Sequence, residues 1–274
     1  MKLLVAVDME GITGVSSWDH VSPEHPHYIR FRQLMTADVN AAVQGAVAGG
    51  ADEVIIADGH GNGQNVMIEA LEARAALHSG NHAPFAMVNG IDTGVDAVFL
   101  VGYHARAGSS PAVLDHTWSS SRVFNAWLNG RVTGEIGLNA SLCGHFGAPV
   151  LMISGDQTAA AEAAEWIPGI EQAVVKQATS RYAAIALPPE KTGEIIRTAA
   201  EMAVRRFRAG EGPQPVVAST PVTVTVEFTN SGMAASAALA PGARRLEPRK
   251  VEITSPDMPS AYLAFRTMVG MADK

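Results

Sequence analysis

The chain has 274 residues, of which 47% are hydrophobic and 17% charged, with a formal net charge of −7. It is long enough to bury a sizeable core in one large or two ordinary domains. The acidic balance and the lack of a basic run with interleaved aromatics argue against nucleic acid as a partner, and one cysteine, Cys143, leaves no intrachain disulfide to form.

Residues 3–7 (LLVAV) form a continuous apolar run, the composition of a buried strand. A polar loop rich in Gly, Ser, Pro and His covers 11–26, and 36–48 has helical spacing closed by Gly49-Gly50. Strands follow over 53–57 (EVIIA) and 95–101 (VDAVFLV), the alternating rhythm of a parallel sheet. In 122–133, Asn129-Gly130 between short alternating segments predicts a tight hairpin. Residues 135–146 read as a helix with Cys143 on its apolar face, 149–154 and 172–176 as strands, and 158–166 as a helix.

Pro188 and Pro189 open a long helix over 188–208, and Arg205, Arg206 and Arg208 close it as the helix dipole favours. GEGPQP (210–215) breaks the chain, 216–228 contains the alternating strand VTVTVEF, 251–254 reads as a short strand, and 256–271 as a terminal helix. The fold class expected is α/β, a mostly parallel sheet flanked by helices, with a smaller C-terminal α+β region. The domains expected are a metal-bearing α/β domain over 1–186 and a region over 187–274, packed on the first and engaged in oligomer contacts. No apolar run reaches the roughly 18 residues of a membrane span. Asp8 and Glu10 cut the opening MKLLVAV short of a signal-peptide core, so a cytoplasmic location and no membrane partner are expected. High alanine content and low charge suggest surface covered in a homo-oligomer.

Three apolar runs each end in a side chain suited to bind a metal: LLVAV before Asp8 and Glu10, EVIIADG before His60, and AVFLVGY before His104. In an open parallel sheet, ligands bind beyond the carboxyl ends of the strands. If the three runs are neighbouring strands, these residues converge on one edge. Asp8 and Glu10, two apart in an extended segment, would point to the same side, and two adjacent carboxylates stay ionised best beside a cation. His116, in Asp115-His116-Thr117, could serve as acid, base or nucleophile. Glu135 opens the helix after the hairpin, where a glutamate also has an ordinary reason to sit. The remaining histidines, His20, His25, His27, His78, His82 and His145, show no carboxylate pairing. H-E-x-x-H and G-x-S-x-G are both absent, which excludes a thermolysin-like zinc protease and argues against a serine α/β-hydrolase.

These residues resemble the D-aminopeptidase family, peptidase family M55. The matching stretches are Val7-Asp8-Met9-Glu10-Gly11-Ile12-Thr13-Gly14, Asp58-Gly59-His60, Gly102-Tyr103-His104-Ala105-Arg106, Asp115-His116 and Gly134-Glu135-Ile136-Gly137-Leu138-Asn139, then Pro149-Val150-Leu151-Met152 and Val175-Lys176-Gln177 with Ser180-Arg181. The match fades after about residue 187. The resemblance implies a two-zinc aminopeptidase acting on short peptides with an N-terminal D-residue, notably D-Ala. It implies Asp8, Glu10, His60, His104 and Glu135 as metal ligands with Asp8 bridging, His116 as the catalytic residue, and a decameric homo-oligomer. Residues 108–131, with Trp118 and Ser119-Ser120-Ser121, depart from the family pattern and are expected to shape the substrate pocket.

Nitrogen and oxygen ligands without sulfur fit Zn²⁺, and also Mn²⁺ or Co²⁺. His116 is open to two roles, the family's nucleophile or a proton shuttle and oxyanion donor. Lys176 is expected either to reach the site edge and bind a peptide carboxylate or to be a solvated strand-end lysine. Two other readings stand beside the peptidase. One is a different dinuclear amidase or phosphoesterase, for which Arg106 is the obvious nearby cation. The other is a non-catalytic oligomeric peptide-binding protein.

Overall fold

The structure, a computed structural model, describes residues 1–80 and 83–272. In chain order its elements begin with β1 (Lys2–Val7), α1 (Tyr28–Gly49), β2 (Glu53–Asp58), β3 (Ala75–His78), β4 (Ala97–Val101), β5 (Val123–Leu128) and β6 (Arg131–Thr133). There follow α2 (Glu135–His145), β7 (Val150–Asp156), α3 (Gln157–Trp166), β8 (Glu171–Ser180), β9 (Ala183–Ala186) and α4 (Pro189–Arg208). The chain ends in β10 (Val222–Phe228), α5 (Ser231–Ala237), β11 (Arg244–Glu247), β12 (Lys250–Ser255) and α6 (Met258–Met271).

Seven strands form one sheet in the order β3-β2-β1-β4-β7-β8-β9, parallel except for β9. The chain leaves β1 toward β2 and β3, then returns to β4 on the other side of β1. This reversal leaves a crevice at the carboxyl ends of β1 and β4. The central strands β1 and β4 are apolar along nearly their whole length because both faces are covered. Leu3, Val5 and Val7 pack with Met35 and Val39 of α1 and Ile196 and Ala200 of α4. Leu4 and Ala6 face the other way, into a core shared with α2, α3, α6 and the second sheet. All five are fully buried, and burying a Val or Leu side chain contributes roughly 1.5–3 kcal/mol.

The second sheet is antiparallel, in the order β11-β12-β10-β5-β6. The fold is thus the α/β arrangement expected, with a smaller α+β part. That part recruits β5 and β6 from residues 123–133, and the turn between them has Asn129 at φ 48° and Gly130 at φ 79°, as a tight hairpin requires. Helix α4, from the region after residue 187, lies on α1 against the first sheet.

Helix α1 begins at Tyr28, well before residue 36, because Tyr28, Phe31 and Met35 continue its buried stripe back to the turn after Pro26. Gly50, at φ 109°, ends it in the left-handed conformation. The edge strands β3, β9 and β11 carry too little apolar signal to be read from sequence: β11 is exposed throughout and β9 nearly so. Among the described residues, no helix is long and apolar enough to cross a membrane.

Candidate metal centre

The register of the first sheet brings the site together. Val7 is level with Asp58 on one side and Val101 on the other, so Asp8, Glu10, His60 and His104 all lie in the first residues beyond three adjacent strand ends. Asp8 and Glu10 do not share a face by strand alternation, as the sequence suggested. The chain turns directly after Val7, with Met9 N–H donating to Asp8 Oδ1 at 2.9 Å. The turn is pressed against the end of β4, where Gly11 N–H donates to the Gly102 carbonyl at 2.8 Å. A Cβ on Gly11 would lie 2.0 Å from the Tyr103 carbonyl oxygen, and one on Gly102, at φ +73°, would lie 2.3 Å from the Asp8 carbonyl. Only glycine permits this approach.

Asp8 stands between two histidines. Its Oδ1 is 3.2 Å from His60 Nδ1, and its Oδ2 is 3.3 Å from His104 Nε2. Glu10 Oε2 lies 3.1 Å from His60 Nδ1, and Glu135 Oε1 lies 3.3 Å from His104 Nε2 and 3.9 Å from His116 Nε2. The His104 and His116 rings stack with centroids 3.9 Å apart. Glu135 also accepts the Trp118 N–H at 2.6 Å. His116 lies between Leu114 and Trp118, both in the left-handed region at φ 51° and 63°. Strain of this kind concentrates at functional loops.

Each histidine commits its outer nitrogen to a backbone carbonyl: His60 Nε2 to Val21 at 3.0 Å, His104 Nδ1 to Ala105 at 3.0 Å and His116 Nδ1 to Leu114 at 2.8 Å. A carbonyl only accepts, so these nitrogens carry the proton. In a neutral ring the inner nitrogen then presents its lone pair to the carboxylates. Lone pairs facing carboxylates repel unless a proton or a cation lies between, which is how metal-bound histidines are oriented. His104 Nε2 is buried without a hydrogen-bond partner. The ligand atoms of Asp8, Glu10 and His104 lie within 4.8 Å of one another, as do those of His104, His116 and Glu135. The residues therefore fit divalent cations, with His116 Nε2 directly beside the donors.

The electrostatics agree. Burial works against a charged Asp8, but the imidazoles of His104 and His60 that face its two oxygens outweigh it and hold the carboxyl well below the usual range. Burial likewise opposes charge on His60 and His104, but Glu10, Glu135 and Asp8 overcome it and push both imidazoles well above their ordinary value. His116 goes the other way, lowered by burial and then by the charge of His104. Protons on His60 and His104 thus occupy the places a cation would take. Over the cluster opens a cleft of about 830 Å³, reached by Asp8, Glu10, His60, His116 and Glu135 and lined also by Trp118, Arg122 and Arg266.

The sequence profile of the D-aminopeptidase family, peptidase family M55, matches residues 1–267. The chain belongs to the M55 D-aminopeptidase family. A D-aminopeptidase of Bacillus subtilis (strain 168) is 37% identical over 273 residues, covering 99% of this chain and 98% of that relative. The solved structure of the Zn-dependent D-aminopeptidase DppA from Bacillus subtilis, a self-compartmentalizing protease, superposes with a TM-score of 0.95 at 36% identity, covering 99% of this chain and 98% of the other.

For this M55 member, all six residues singled out in the sequence meet in one cluster. Among the described residues the other histidines are not part of it, and His25 faces Asp19 at 3.6 Å near the surface; His82 lies outside the described residues. Lys176 neither binds at the cleft nor meets solvent. It is 1% exposed, and its Nζ donates to the carbonyls of Glu10, Ile12 and Val15. Burial pushes its pKa down to about 7 against the opposing charges of Asp156, Asp38 and Glu10. Glu162 escaped the sequence reading. It is buried on α3, accepts the Arg106 N–H at 2.7 Å behind His104, and is raised to about 7 by burial. A glutamate within an alanine-rich helix gave no signal of this.

Proposed function

We propose that this chain is a zinc-dependent aminopeptidase that removes the N-terminal residue of short peptides or amides, D-residues of the D-Ala type in particular. The observation that carries the reading is Asp8, whose two oxygens face two different histidines in a cluster with Glu10 and Glu135. Two ions would be held, one by Asp8, Glu10 and His60 and the other by Asp8, His104 and Glu135, with Mn²⁺ or Co²⁺ as substitutes for Zn²⁺. Bound divalent ions would polarise the scissile carbonyl and make water a nucleophile near neutral pH.

The chain's own residues supply the rest. Asp8 and Glu10 line the cleft and suit the ammonium end of a peptide. Arg122 and Arg266 line the same cleft, and guanidinium is the usual partner of a carboxylate. His116 is held by Leu114 with its Nε2 unprotonated, and its lowered pKa keeps it neutral at pH 7. At that atom it takes a proton from the attacking group and returns it to the leaving amine. The edge of Trp18 packs on its ring at a centroid distance of 5.3 Å and limits its motion. Trp118, Ser119 and Ser120 also line the cleft, so they set the accepted side chain.

The self-compartmentalizing relative supports a homo-oligomer, and we propose a decamer in which the 187–274 region takes part in the contacts. A panel of matched D- and L-aminoacyl amides and dipeptides, with zinc-loaded and chelator-stripped protein, tests the activity. Cleavage of D-substrates by the loaded protein alone is expected. Full activity after stripping, or no cleavage of any aminoacyl substrate by the loaded protein, contradicts the reading.

A further inference from the structure

Lys176 lies on β8, which is separated from β1 by β4 and β7. Its side chain nevertheless ends beneath the turn that follows β1. Nζ is 2.6 Å from the Glu10 carbonyl, 2.9 Å from that of Ile12 and 2.8 Å from that of Val15. An ammonium has three protons and no lone pair, so three acceptors saturate it. The segment between Asp8 and Val15 has no helix or strand of its own. Its shape depends on such ties, together with Thr13, whose N–H and hydroxyl both donate to Asp38 at 2.9 Å. The tie at Glu10 is on the residue whose carboxylate faces His60.

The other half of the cluster is held differently. His104 follows β4, where Gly102 N–H donates to Ser154 Oγ at 2.9 Å. Glu135 heads α2 and is fixed by Trp118. Neither contact involves Lys176.

We propose that Lys176 is a positioning residue that sets the Glu10–His60 half of the metal centre in its binding geometry before any ion arrives. The proposal rests on the two-ion reading above, and its tests separate the two. Zinc is titrated against a chromophoric chelator into wild type, Lys176→Met and Lys176→Gln. Partners behind a ligand typically govern metal affinity by about 10–100-fold. One of two zinc sites should therefore weaken by about that factor while the other is unchanged. Glu10→Gln should weaken the same site, with no further loss in the Lys176→Met/Glu10→Gln double variant. Equal weakening of both sites, or of neither, overturns the proposal.

Should the Lys176 variants not fold, hydrogen exchange of metal-free wild type decides. Amides of residues 9–15 should exchange as slowly without zinc as with it. Fast exchange that slows only on adding zinc shows that the metal orders the turn, and overturns the assignment. If wild type binds a single zinc or none, the two-ion reading fails, and the exchange experiment still judges whether the turn that Lys176 ties is set before any ion arrives.

Discussion

Asp8→Asn keeps the shape of the side chain and removes the charge that both histidines face. In metal-free protein the carboxylate is buried and opposed to His60 at 3.2 Å and His104 at 3.3 Å. Removing one partner of a buried ion pair costs about 3–5 kcal/mol. His60 and His104 can release protons in response, which places the loss near the lower end, about 3 kcal/mol. At about 2–4 °C per kcal/mol for a chain of this size, the melting temperature in chelator should fall by about 6–12 °C. Zinc separates a metal centre from a self-contained ion-pair network. With free zinc about 100-fold above the Kd of each site, wild type should gain about 2.7 kcal/mol per ion, about 5.4 kcal/mol for two, or about 11–22 °C. A roughly 100-fold loss of affinity at both sites in the variant would leave about 0.4 kcal/mol per ion, about 0.8 kcal/mol in all, or about 2–3 °C. The assay is thermal unfolding of both proteins in chelator and in buffered zinc. An equal zinc increment in Asp8→Asn and wild type would refute the reasoning, and so would no increment in either.

The stabilisation by zinc should grow as pH rises from about 6 to 8. Folded His60 and His104 hold protons well above the usual range, so their contribution to metal-free stability is full below the unfolded value near 6.5 and is lost as pH rises through the folded values. Zinc needs the same nitrogens unprotonated, and melting scans across this range with and without zinc check the trend. His116→Ala should keep its zinc while turnover falls by about 10²–10⁴-fold, and a covalent adduct trapped on His116 in wild type would instead make it a nucleophile. Gly11→Ala should destabilise by about 3 kcal/mol or more, because its Cβ would meet the Tyr103 carbonyl at 2.0 Å. Denaturant unfolding and zinc titration of that variant measure both the stability loss and the expected loss of metal.

The first sheet was legible because β1, β2 and β4 are apolar runs that alternate with helix or loop, the rhythm of a parallel sheet, while their order, β2-β1-β4, came only from the structure. Ligand-type residues just past three such runs could meet only if the runs were neighbours in register, and Val7 is level with both Asp58 and Val101. The pairing of β5 with β10 was not legible, because partners nearly a hundred residues apart leave no local pattern. Lys176 was misread for a related reason. A lysine after an apolar strand looks like a chain end reaching water, and its three carbonyl acceptors lie more than 160 residues away. The turn at Asp8–Glu10 was read as extended because the signals that bend it, Gly11 and Gly102, act through a contact between separate loops.

Anomalous diffraction at the zinc edge from crystals of the zinc-loaded protein addresses the metal centre directly. The account predicts two peaks at the carboxyl ends of β1, β2 and β4, one contacting Asp8, Glu10 and His60 and the other Asp8, His104 and Glu135. Zinc bound elsewhere on the chain, or no peak within this cluster at saturating zinc, would contradict it.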